Sequence, residues 1–331
     1  MDRKILITSL SLAIFFFLVS SSTALPIILD NNTTNENIKI NMNYKITHTV
    51  FCEFASSINC TNCPETAEVL SQIYTSNDYD FEYITYVTNE HSPALDALVK
   101  HYNIAGYPTC FFDTGYEIAY NLTPNEFNYI NKIEAAGNRP IHDLTIDLNI
   151  TWFADCCNKY VNTNVTIYNN EDTLYEGILK LYVTEIKSRW NYTINGNNKS
   201  YHNTFIGFIA EDDTFYINPG SSITLKLPTF SALFPEGLEP NNMMIVAVVC
   251  NTNNAYKGYS DPPNNNHPFF VYKVDAVSKK KIKNSIEKPA PIQTIQPIEN
   301  KLHNLERFLQ GILLYEKNMI IKIVNKFINR F

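Results

Sequence analysis

The chain has 331 residues, enough for two domains of ordinary size, and 45% of them are apolar, which excludes a wholly disordered protein. Its net charge of −7 hides an asymmetry: from Ala276 onward there are 11 basic and 4 acidic residues, leaving a strongly acidic body. An acidic body excludes nucleic acid as a partner, and no motif of a protease, glycosidase or nucleotide-binding protein is present.

Residues 1–24 read as a secretory signal peptide. Arg3 and Lys4 are its basic start, Ile5 to Val19 its apolar run, and Ser22-Thr23-Ala24 its small-residue cleavage point. The run is short for a membrane-spanning helix, which needs about 20 apolar residues, and the alternative reading is an uncleaved N-terminal anchor. The chain is therefore expected to be exported and extracellular or cell-surface associated, where disulfides are permitted. Sequons at Asn31, Asn32, Asn59, Asn121, Asn149, Asn164, Asn191 and Asn198 are candidate glycosylation sites. Residues 25–43 are polar, Asn/Thr-rich and read as a flexible lead-in.

The pattern then becomes αβ. Thr47 to Phe54 reads as a buried strand, and Pro64-Glu65-Thr66 opens a helix that ends near Ser76. Phe81 to Val87 is a strand rich in aromatic and β-branched residues. Ser92-Pro93 starts a second helix. Strands at 109–113 and 117–120 follow, and then a helix with Thr123 as N-cap and Gly137 as its stop.

Between the first strand and the first helix lies Cys60-Thr61-Asn62-Cys63-Pro64. Cys60, just before a helix, sits where unpaired N–H groups favour a thiolate, and Cys63 falls inside the first turn. This is the chemistry of thiol–disulfide exchange: Cys60 attacks a substrate disulfide, and Cys63 resolves the mixed disulfide. Tyr107-Pro108-Thr109 comes later in the chain, with Pro108 45 positions after Cys63.

The CxxC pair, this Pro loop and the element order over residues 44–139 resemble the thioredoxin-like family. That resemblance implies a cis Pro108 lying against the cysteine pair, with Tyr107 and Thr109 presenting backbone to substrate. It also implies that Glu53 is the buried acid accepting the proton of Cys63. Asn59 stands where the family usually has an aromatic residue. Two functions stay open: an exchange enzyme acting on extracytoplasmic protein thiols or disulfides, or a surface binding or adhesion protein whose Cys60–Cys63 bridge is structural. No cofactor is called for. With no second CxxC and no ligand-spaced histidine pair, no metal site is expected.

From His142 the apolar residues alternate with polar ones. Short runs at 144–150, 162–168, 178–183, 204–209, 222–227, 243–249 and 269–274 predict an immunoglobulin-like β-sandwich over 142–275. Cys52 and Cys110 fall on strands that neighbour one another in a thioredoxin-like fold, so they are either a disulfide or two buried thiols. A bridge from Cys157, or its neighbour Cys156, to Cys250 is the expectation within the sandwich. Residues 276–301 read as a Lys/Pro-rich linker, and 302–331 as a basic amphipathic helix able to lie on an anionic membrane surface or to pack on protein.

The whole arrangement resembles bacterial outer-membrane-associated proteins of the 28-kDa type, through Glu53-Phe54 and the CxxCP run, then Tyr201-His202-Asn203-Thr204, Gly220 and Met244 to Val249. That resemblance implies a thioredoxin-like domain followed by a sandwich, exposed at a surface.

Overall fold

The computed structural model describes residues 46–154, 159–230 and 238–283. The signal peptide, the lead-in, Cys156, Cys157 and the 302–331 helix lie outside the described residues. No helix among the described residues is long and apolar enough to cross a membrane.

The αβ part forms close to where its sequence pattern puts it. Strand β1 (Val50–Ser56) is buried at every position, as a strand covered on both faces must be. Helix α1 (Cys63–Ser76) buries Ala67, Leu70 and Ile73 along one stripe and ends at Asn77, whose left-handed backbone (φ 54°) closes it. Strand β2 (Phe81–Val87) pairs parallel with β1. Helix α2 (Ser92–Tyr102), strands β3 (Thr109–Phe112) and β4 (Glu117–Tyr120), and helix α3 (Glu126–Gly137) complete this part. The N-cap of α3 is Asn125, not the expected Thr123: its side chain accepts from the Asn128 N–H at 2.9 Å.

Among the described residues the second half is strands apart from one 3-10 turn at Pro240–Asn242: β5 (Leu144–Ala154), β6 (Lys159–Asn169), β7 (Tyr175–Ile194), β8 (Asn197–Ile217), β9 (Ser222–Lys226), β10 (Met243–Asn251), β11 (Tyr256–Tyr259), β12 (Pro268–Val271) and β13 (Val274–Lys281). Here the expected fold class fails. β7 and β8 do not belong to a separate sandwich: β8 lies parallel beside β2, with Thr204 opposite Thr85. The Thr85 hydroxyl donates to the His202 carbonyl at 2.9 Å across this seam. One mixed eight-stranded sheet results, in the order β13-β10-β7-β8-β2-β1-β3-β4. A thioredoxin-like domain followed by an independent all-β domain is thereby excluded. Ala276–Lys281, expected in the linker, are instead part of edge strand β13, paired antiparallel with β10. The three lysines at its end are of the kind that discourages edge-to-edge pairing.

Strand alternation assigns each face of this sheet its own core. On one face, Phe51, Ile84, Phe111, Tyr182, Phe205, Met244 and Val246 make a continuous apolar layer under α2 and the β11–β12 hairpin. The other face is shared. Val50, Cys52, Phe54 and Cys110 pack under α1 and α3, while Leu179, Leu181, Val183, Ile245 and Val249 pack under the small sheet β5-β6-β9. The long β7–β8 hairpin bridges the two halves, since its Tyr192 and Tyr201 join the core below α1.

A buried ion network fastens the halves together. Arg139, just past α3, donates through Nη2 to Asp113 Oδ2 at 3.0 Å and to the Val274 carbonyl, and through Nη1 to Asp275 Oδ1 at 3.5 Å. Asp113 is also held by His48 Nε2 at 2.7 Å and by the Phe51 N–H at 3.0 Å. Asp275 accepts from the Tyr175 hydroxyl and the Asn251 amide, each at 3.2 Å. Removing one partner leaves the others charged and buried, which costs about 3–5 kcal/mol. Arg139→Met is therefore expected to lower the unfolding free energy in urea by about that amount. A loss below about 1 kcal/mol, the scale of an exposed pair, would show that the network does not join the halves.

Candidate functional site around Cys60 and Cys63

The loop between β1 and α1 is shaped by short-range bonds. The Cys60 N–H donates to the Ser57 carbonyl at 3.0 Å, and the Ile58 N–H donates to Asn89 Oδ1 at 2.9 Å. The loop is thus tied both to itself and to the segment after β2. Cys60 and Cys63 stand at disulfide-bonding distance, with Cα atoms 5.4 Å apart. The Cys63 N–H donates to Cys60 Sγ at 3.1 Å. That N–H is one of the unpaired donors of the first turn, so it and the helix dipole stabilise negative charge on Cys60 once the pair is reduced.

The two sulfurs are not equivalent. Cys63 is wholly buried, in the core that also holds Cys52, Leu70 and Phe112, whereas Cys60 is partly exposed. A cleft of about 400 Å³ opens over Cys60, lined also by Ser57, Asn59, Thr61, Asn62 and Tyr107. None of these side chains is charged at neutral pH. Any incoming sulfur meets Cys60 first.

The Tyr107–Pro108 peptide is cis, as the resemblance implies, and Tyr107 reaches the same cleft as Cys60. Thr109 does not: it is fully buried, and its hydroxyl donates to the Gly106 carbonyl at 2.8 Å. Glu53 departs further from expectation. Along β1 the side chains alternate, so Cys52 and Phe54 share the face that carries Cys63, and Glu53 points to the opposite one. There its carboxylate accepts from the hydroxyls of Tyr86 at 2.7 Å, Tyr182 at 3.1 Å and Tyr102. Burial, with Glu53 beside them, pushes all three tyrosines well above their usual range. Glu53 therefore organises a tyrosine cluster and does not face the resolving sulfur.

The remaining described cysteines are free thiols. Cys52, Cys110 and Cys250 are all buried, so the Cys52–Cys110 bridge is not formed; the expected bridge from Cys156 or Cys157 to Cys250 involves residues outside the described ones. Burial, and then the Cys110 thiol beside it, raises Cys52 well above the ordinary thiol range; burial likewise raises Cys250. Such thiols are poor nucleophiles. Two supports of the site carry no local sequence signature. The Ser56 hydroxyl, at the end of β1, donates to the Tyr201 hydroxyl at 3.0 Å, and Asn89 anchors Ile58. Both arise from chain segments that meet only in the folded protein.

No protein-family model matches the chain, and no curated protein does. Solved structures give distant likenesses. A protein of Agrobacterium tumefaciens is 12% identical over 73% of this chain and 97% of its own, with a TM-score of 0.40. Spo0M, a sporulation control protein of Bacillus subtilis, is 12% identical over 43% of this chain and 49% of its own, with a TM-score of 0.29. Likeness at this level assigns neither a family nor a function.

The position of Glu53 has a direct consequence. Glu53→Gln replaces one acceptor of the tyrosine cluster with a donor and is expected to cost about 1–3 kcal/mol of stability in urea unfolding. The pH profile of thiol alkylation in the reduced protein is expected to stay at its wild-type position. Movement of that profile by a full pH unit would return Glu53 to the role of proton acceptor.

Proposed function

We propose that this protein is an exported thiol–disulfide exchange protein acting on extracytoplasmic proteins through Cys60 and Cys63. The observation that carries the reading is the asymmetry of the pair. One sulfur is open to a cleft at a helix N-terminus, and the other is buried behind it. Export rests on the signal-peptide pattern of residues 1–24.

From the oxidised state, a substrate thiolate attacks Cys60 Sγ. The new sulfur–sulfur bond forms as the Cys60–Cys63 bond breaks, and Cys63 leaves with the electron pair. A second substrate thiolate then attacks the substrate sulfur of the mixed disulfide, releasing Cys60 as thiolate. The substrate leaves with a disulfide, and the protein is left as a dithiol. In reverse, the Cys60 thiolate opens a substrate disulfide and Cys63 resolves it. The Cys63 N–H serves either direction by stabilising charge on Cys60. The uncharged cleft suits a chain segment bound through its backbone better than a charged small molecule.

Cys63→Ser removes the resolving sulfur and leaves the attacking one. When this variant, reduced, is mixed with disulfide-containing extracytoplasmic proteins, covalent adducts that dithiothreitol dissolves are expected on non-reducing gels, with Cys60 as the linked residue. The Cys60→Ser variant is expected to form none. Absence of adducts with Cys63→Ser, together with no reductase or oxidase activity of the wild type, would leave the pair as a structural bridge in a surface binding protein.

A further inference from the structure

A second cavity, of about 330 Å³, lies on the opposite face of the large sheet from Cys63, where α2, β7, β8 and the strand β12 meet. Its floor is polar. Lys180, on β7, is almost wholly buried, and its Nζ donates to His101 Nδ1 at 3.2 Å and approaches Asp212 Oδ1 at 3.4 Å. Because Nδ1 accepts from the ammonium, the proton of the ring sits on Nε2, which donates to Glu211 Oε1 at 2.8 Å. Burial, and then the Lys180 charge, hold His101 below the ordinary imidazole range. Its walls are apolar and aromatic, from Phe269, Phe270 and Tyr272, and Phe270 is 68% exposed at the rim.

A buried lysine is costly unless something uses its charge. Here an ammonium has three donors and two long contacts, and it faces an open cavity. Lys100 stands at the mouth, bonded to Glu211 at 3.0 Å. Of the charged groups that line the cavity, Lys100 and Lys180 are cations and Asp212 is an anion, while Glu211 pairs with Lys100 and with His101. A nearly buried ammonium facing an aromatic-walled cavity, with a second lysine in the lining, matches a molecule with an anionic head and an apolar body.

We infer that this cavity is a binding site for a small organic carboxylate, its head on Lys180 and Lys100 and its apolar part against Phe269 and Phe270. The site is independent of the disulfide and of the exchange reaction. The imidazole of His101 reports on it, because a carboxylate that draws the Lys180 ammonium away changes the bond at Nδ1.

The experiment is a titration of the full chain with sodium benzoate, followed by the ring nitrogen and proton resonances of His101. Sodium acetate and benzyl alcohol separate the anionic head from the apolar body. A saturable shift with benzoate is expected, at least tenfold weaker with either of the other two. Lys180→Met is expected to weaken benzoate at least tenfold. Lys100→Met and Phe270→Ala, both at the exposed mouth, are expected to weaken it several-fold, and they carry the test if the Lys180 variant does not fold. No saturable shift in the wild type, unchanged affinity in Lys100→Met and Phe270→Ala, or equal binding of benzyl alcohol would overturn the assignment.

Discussion

The alternation of side chains along β1 is the constraint on which the rest of the structure depends. Every residue of this strand is buried, and its two faces feed different cores. Val50, Cys52 and Phe54 build the layer below α1 and α3, and so set where the first turn of α1 carries Cys63. Phe51, Glu53 and Ala55 build the layer below α2, where the Glu53 carboxylate gathers three tyrosine hydroxyls. Because the period of a strand is two, a slip of one residue would exchange these roles and place a carboxylate beneath the disulfide. A buried charge without donors is expensive, so the tyrosines hold the register as much as the apolar residues do.

The second half of the chain extends this sheet instead of standing beside it. β8 adds to β2, and β7, β10 and β13 add to β8. The disulfide is therefore held from two directions. The Ser57 and Asn89 contacts fix the loop in front, and Tyr201 of the hairpin reaches Ser56 behind. The ion network around Arg139 then closes the far side of β1 onto β13. A site needing one open and one buried sulfur benefits from such a frame, because its selectivity lies in which sulfur can be reached.

Much of the αβ part is written in local sequence. Pro64 in the first turn, the apolar stripe of α1, and the aromatic run of β2 each specify their element with nearby residues. The CxxC at a helix start and the Pro loop are equally local. What could not be read is the pairing of β8 with β2, which joins Thr204 to Thr85 across more than a hundred residues and has no motif of its own. The alternation in β7 and β10 was visible, yet alternation says only that a strand has two environments and not which strand lies next to it. The role of Glu53 was open to correction from sequence: Cys52 and Phe54 flank it on the face opposite to its own. Ser57 and Asn89 are ordinary loop residues until the fold brings them to the disulfide.

Among the described cysteines, Cys60 is the sulfur open to attack and Cys63, Cys52, Cys110 and Cys250 are sheltered. Reduction of the folded protein followed by brief treatment with limiting iodoacetamide, then peptide mapping, tests this directly. Label is expected on Cys60, with Cys63, Cys52, Cys110 and Cys250 labelled only after denaturation. Label appearing first on Cys63, or equally on the buried thiols, would contradict it.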